Sequence, residues 1–170
     1  MDISELQRIY AGHPNLKSLA SALENSSIRT IFLGGLHSSA SPLFFSSLVK
    51  DTPRTFVFVL NDVEEAGYFY HDLVQINGEG QTLFFPSSYR RAIKYGQKDA
   101  GNEILRTEVL NRLQKGEDVC VVTYPDALAE KVVSQKDLAS HTIQLKVGQR
   151  VETDTLMEKL FAHGFEQVDY

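Results

Sequence analysis

The chain has a single cysteine, Cys120, so no disulfide can form within it. Cys120 sits inside the apolar run Val119–Val122, which predicts a buried small hydrophobe and not a reactive thiol. The five histidines, at positions 13, 37, 71, 141 and 163, show no metal-ligand spacing. Positive charge is not in excess. There are 17 Lys and Arg against 22 Asp and Glu, a formal net charge of −5, which argues against a nucleic-acid binder driven by bulk charge. That balance still permits a local basic patch. No apolar run approaches the ~20 residues that span a bilayer. Residues 1–25 mix charges into a helical pattern and lack the apolar centre of a signal peptide. Together these absences predict a soluble cytoplasmic protein with no membrane partner.

The chain does have apolar and aromatic bulk. Of its 170 residues 42% are hydrophobic, with ten Phe and seven Tyr, enough for a folded core. Ile3, Leu6, Ile9 and Tyr10 recur at helical spacing, as do Leu16, Leu19, Ala20 and Leu23 after the Gly12–Pro14 break. Apolar β runs follow at Ile28–Leu33, Thr55–Leu60, Thr82–Phe85 and Asp118–Thr123. Helical stretches alternate with them. One opens at Ser41-Pro42, with Ser41 as N-cap and Pro42 as first helical residue. Another is capped by Asn61-Asp62 and runs to about Ile76. A third spans Asn102–Gln114, with Ile104, Leu105, Val109, Leu110 and Leu113 as its apolar stripe, and a short one runs from Pro125 to about Val133. Continuous β runs alternating with amphipathic helices predict an α/β fold, a mostly parallel sheet with helices on both faces.

The pattern changes near Ser134–Ser140. Thr142–Val147 alternates apolar and polar like a half-exposed strand, Gly148–Arg150 turns, and Leu156, Met157, Leu160 and Phe161 mark a helix capped by Thr153 or Asp154. Phe165–Tyr170 reads as the start of another strand. This is the opening of a small α+β unit at 141–170, after a first domain at 1–138. It ends without a partner hairpin, as a piece cut inside a domain would.

The loop Gly34–Pro42 stands where a phosphate loop would, between a strand and a helix. Such a loop needs Gly-x-x-x-x-Gly-Lys-Ser/Thr: glycines for close backbone approach, lysine for phosphate charge, hydroxyl for magnesium. Counting from Gly35, Ala40 replaces the second glycine, Ser41 the lysine and Pro42 the hydroxyl residue. Pro42 also removes an amide. The loop reads as an ordinary βα turn. A nucleotide-dependent helicase fragment or other phosphate-loop ATPase is the alternative, and the absent lysine discriminates against it.

Tyr89, Arg90, Arg91, Lys94 and Tyr95 form the most basic and aromatic cluster, either a phosphate-contacting surface or a solvated loop. Tyr68–His71 are consecutive on a helix and cannot share one face. Asp62, Glu64 and Glu65 are explained by a helix N-terminus. No Ser-His-Asp or Cys-His set can be assembled.

Several stretches together resemble the N-terminal region of the bacterial transcription-repair coupling factor family. They are Gly35–Phe45, Phe84-Phe-Pro86, Asn102–Arg106, Asp118–Leu128, Leu145–Arg150 and Leu156–Asp169. That region is itself similar to the excision-repair helicase UvrB, without its ATPase function. The resemblance implies a RecA-like body with a decayed phosphate loop, and no catalytic residue, metal or cofactor in this stretch. ATP and Mg, and contacts with DNA and RNA polymerase, would belong to absent parts of the parent chain. It further implies that the unit near His141 opens the small domain that binds the repair protein UvrA. Lys146 and Arg150, with the exposed face of the 154–163 helix, read either as surface contacts of that unit or as ordinary surface. The family's conspicuous UvrA-contact segment falls beyond Tyr170. The helicase's tyrosine-rich hairpin is reduced here to Ser87–Gly96.

Overall fold

The computed structural model describes residues 2–89 and 99–168. They form two compact units, Met1–Lys131 and Val132–Tyr170.

In the first unit, α1 (Ile3–Ala11) and α2 (Pro14–Glu24) start on side-chain caps from Asp2 and His13. They are followed by α3 (Ala40–Asp51), β1 (Phe56–Val59), α4 (Val63–Asn77), β2 (Thr82–Phe85), α5 (Ala100–Gln114), β3 (Cys120–Thr123) and α6 (Pro125–Leu128). Asp62 accepts from the amides of Glu64 and Glu65, both at 2.9 Å, which fixes where α4 begins. The sheet is small, open and all-parallel in the order β1–β3–β2, and Cys120 is in register with both Phe56 and Thr82. β3 is central, and all four of its residues are buried, as a strand covered on both faces must be.

Side chains alternate along the strands and separate the two faces. On one, Phe58 packs against Phe45 of α3 and Phe69 of α4, while Phe84 meets Tyr70. On the other, α5 lies against β2. Leu83, Phe85, Val109 and Val121 belong to the central core. A second cluster, Leu16, Leu19, Phe44 and Leu48, joins α2 to α3.

Ile28–Leu33 is not a strand. It pairs with no edge among the described residues, so its β-branched composition has no ladder to enter. Its side chains are exposed, Phe32 almost fully at 93%. Helix α3 begins at Ala40, with Ser39 in the N-cap position, two residues earlier than the expected start at Ser41-Pro42. Helix α6 stops at Leu128, short of Val133, because the chain turns so that Glu130 reaches back to Ser87 and Ser88.

The second unit contains α7 (Gln135–Ser140) and α8 (Thr153–Ala162). The expected strand Thr142–Val147 is absent, and 165–168 is likewise without strand. Leu145, Val147, Phe165 and Val168 are exposed. A pattern of alternating residues becomes a strand only beside a partner, and the described part of this unit supplies none. Its described residues are therefore helical and irregular, without the β component expected of an α+β unit. Cys120 is buried, as its apolar neighbours predicted.

Candidate functional site

The Gly34–Pro42 loop carries two left-handed residues, Gly35 at φ +83° and Ser38 at φ +49°. A side chain on Gly35 would meet nothing within 4 Å, so backbone conformation and not space favours glycine there. The loop closes on itself. The Ala40 amide donates to His37 O at 3.1 Å, the Ser41 amide to Ser38 O at 3.2 Å, and the Leu43 amide to Ser39 O at 3.3 Å. Pro42, between them, has no amide and is buried. The donors that a phosphate would need at this helix start are thus engaged by loop carbonyls.

A denser polar arrangement lies at the C-terminal end of β2. Arg106 of α5 is 5% exposed. Its guanidinium stacks on Phe85, and its Nη1 donates to Pro86 O at 2.7 Å and Ala127 O at 3.1 Å. Glu130 Oε2 lies 3.5 Å from the same nitrogen. The Glu130 carboxylate also accepts from the hydroxyls of Ser87 and Ser88 and from the Ser88 amide at 2.9 Å. Burial raises the Glu130 pKa, but these hydrogen bonds and the Arg106 charge outweigh it and hold the carboxyl below its usual range.

Around this pair the backbone of Ser87 and Ser88 is fully engaged. The Ser87 amide donates to the Tyr124 hydroxyl at 2.8 Å, and Ser87 O accepts from Asn102 Nδ2 at 2.8 Å. Ser88 O accepts from the Asp99 amide at 2.8 Å. Both flanks of the stretch 89–98 are thereby pinned to the end of a parallel sheet, where α/β proteins carry their ligand loops. The arrangement sets two serine hydroxyls on an ionised carboxylate beside a buried guanidinium.

Tyr89 lies directly beyond this clamp and is part-exposed, its amide donating to Ser87 Oγ at 3.2 Å. Arg90, Arg91, Lys94 and Tyr95 lie outside the described residues. Lys146 and Arg150 sit in the second unit on one exposed turn, in which the Lys146 amide donates to Gln149 Oε1 and the Gln149 amide to Lys146 O. On α4, Phe69 is buried, Tyr68 exposed and Tyr70 packed at a tilt against Phe84, so the consecutive aromatics do divide between faces. Sequence reasoning missed Arg106 and Glu130. The signal for Arg106 was its helical spacing: Asn102, Arg106 and Val109 share the face of α5 that meets the sheet, whereas Ile104 in the expected stripe is 68% exposed.

Compared with known proteins, this chain is 23% identical over 167 residues to the transcription-repair-coupling factor of Bacillus subtilis (strain 168). The alignment takes in 98% of this chain and 14% of that protein. This is a distant relation, spanning a small part of the relative's length. No protein-family model matches the chain, and no solved structure does.

Proposed function

We propose that the chain is a non-catalytic module of a transcription-repair coupling factor, a scaffold that helps bring nucleotide-excision repair to stalled RNA polymerase. The observation that carries this reading is the near end-to-end alignment with one such factor. The Gly34–Pro42 loop agrees with it: the lysine is missing, and the amides of Ala40 and Ser41 are committed to His37 O and Ser38 O. In this reading the first unit is a reduced RecA-like body whose phosphate loop is kept for packing. UvrA is the partner, engaged through the domain that begins in the second unit and continues past Tyr170. ATP, Mg, DNA and polymerase contacts belong to other parts of the parent protein.

Co-purification with UvrA tests the reading. A chain extended past Tyr170 should retain UvrA on an affinity column, and residues 1–170 alone should retain little. Strong capture by residues 1–170 would place the interface elsewhere. No capture by the extended chain would remove the recruitment role. Micromolar ATP–Mg binding lost on substituting Ser41 would favour the phosphate-loop ATPase instead.

A further inference from the structure

The described residues of the second unit include no buried side chain, and neither α7 nor α8 contributes one. Each helix is secured at its ends. Ser134 Oγ accepts from the Asp137 amide, and Asp137 O takes the amide of His141 at 3.1 Å. The amide of His163 meets Lys159 O at 3.1 Å and Leu160 O at 3.0 Å. His141 and His163 are thus the C-caps of α7 and α8. Carbonyls at such an end carry partial negative charge, which favours a nearby cation.

The two imidazoles come together. Their ring centres are 5.2 Å apart, with the planes tilted by 59°. A zinc ion held at a tetrahedral angle by two imidazole nitrogens, at about 2.1 Å from each, sets the ring centres about 5 Å apart. The tautomer of His141 is fixed as well. Its Nδ1 lies 2.8 Å from Asp137 O, which can only accept, so Nδ1 carries the proton of the neutral ring. Ser140 Oγ, 3.1 Å from the same nitrogen, donates its own proton to Asp137 O and keeps a lone pair for Nδ1–H. The lone pair of His141 is therefore on Nε2, preset by a backbone carbonyl as in metal-binding imidazoles. His163 is exposed, and among the described residues its ring engages only that of His141.

We infer that His141 and His163 form a two-imidazole site for a divalent transition cation such as zinc, which ties the ends of α7 and α8 together. Imidazole nitrogens select zinc, copper or nickel over magnesium and calcium, which seek oxygen. Among the described residues no group of three or more His, Cys, Asp or Glu gathers around a common point. Water therefore fills the remaining positions, and the cation is exchangeable. The two histidines are 22 positions apart, so spacing gave no sign of the pair. A unit without buried side chains gains more from such a cross-link than a packed one, because metal-binding free energy there becomes folding free energy. The site does not rest on the recruitment role.

Titration of residues 1–170 with zinc chloride, followed by calorimetry and by NMR of the imidazole ring protons, tests the assignment. One equivalent should bind, and the ring signals of His141 and His163 should shift together. His141→Gln and His163→Gln should each weaken binding by about tenfold or more, and His71→Gln should leave it unchanged. Both substituted residues are exposed, so the variants should keep the circular dichroism of the parent. Amide exchange in α7 and α8 should slow when zinc is bound, and magnesium at the same concentration should leave it as it was. Zinc binding that survives either glutamine variant, or that shifts one ring without the other, overturns the inference. So does the absence of heat and of ring shifts up to millimolar zinc. One zinc per two chains with a dimer mass overturns it too, since the ligands then come from different copies.

Discussion

The guanidinium carbon of Arg106 sits 4.1 Å above the ring centre of Phe85, the last residue of β2. This places a charged group over the end of the sheet while its Nη1 reaches the carbonyls of Pro86 and Ala127. A cation so deeply buried is tolerable because carbonyls, a ring face and the Glu130 carboxylate share its charge. Arg106→Lys keeps the charge but loses the planar fork. It should destabilise the protein by about 2 kcal/mol in urea unfolding, and Arg106→Leu by at least as much, because Glu130 is then left without its cation.

Glu130 makes stability depend on acid. Its folded pKa lies below the ordinary glutamate value of 4.5. Its contribution is therefore complete above that value and is lost as pH falls through the folded pKa. Glu130→Gln should cost about 2 kcal/mol at pH 7. The gap between wild type and variant should narrow as pH drops below 4.5. A gap that stays constant in thermal melts down to pH 3 would remove the carboxylate from this role.

Restoring the missing lysine should not restore a nucleotide site. In Ser41→Lys the amide of residue 40 still meets His37 O, and Pro42 still supplies no donor. Calorimetric titration with ATP and magnesium should detect no binding at micromolar nucleotide. Tight binding would mean that the loop reopens readily.

Asp62 caps α4 with two amide bonds. Asp62→Ala should cost about 1 kcal/mol, measurable as a fall in melting temperature. Asp62→Asn, which keeps an acceptor, should recover most of that loss.

Burial pushes the Cys120 thiol up to about 12, so it stays protonated at neutral pH. A thiol-specific reagent at pH 8 should label it only as fast as the protein unfolds. Rapid labelling of the folded protein would contradict its buried place in β3.

Periodicity made the helices and the central strands legible. Thr82–Phe85 stands as read, and Asp62 caps where its position beside Glu64 and Glu65 indicated. The two misread strands have one cause. Ile28–Leu33 and Thr142–Val147 have strand composition, but composition says nothing about whether an edge exists to pair with. The clamp was hidden for another reason. Arg106 and Glu130 are 24 positions apart in the chain, and each alone looks like a surface charge. Only the fold brings their side chains to within 3.5 Å of each other.

The bond from the Asp99 amide to Ser88 O, with that from Asn102 to Ser87 O, closes a ring of chain at its base. Ser88 and Asp99 are thereby held together by described residues alone. Lengthening a closed loop is inexpensive, about 0.6 kcal/mol for each doubling. The joint between Ser88 and Asp99 is thus a socket, at which added length costs the fold beneath little.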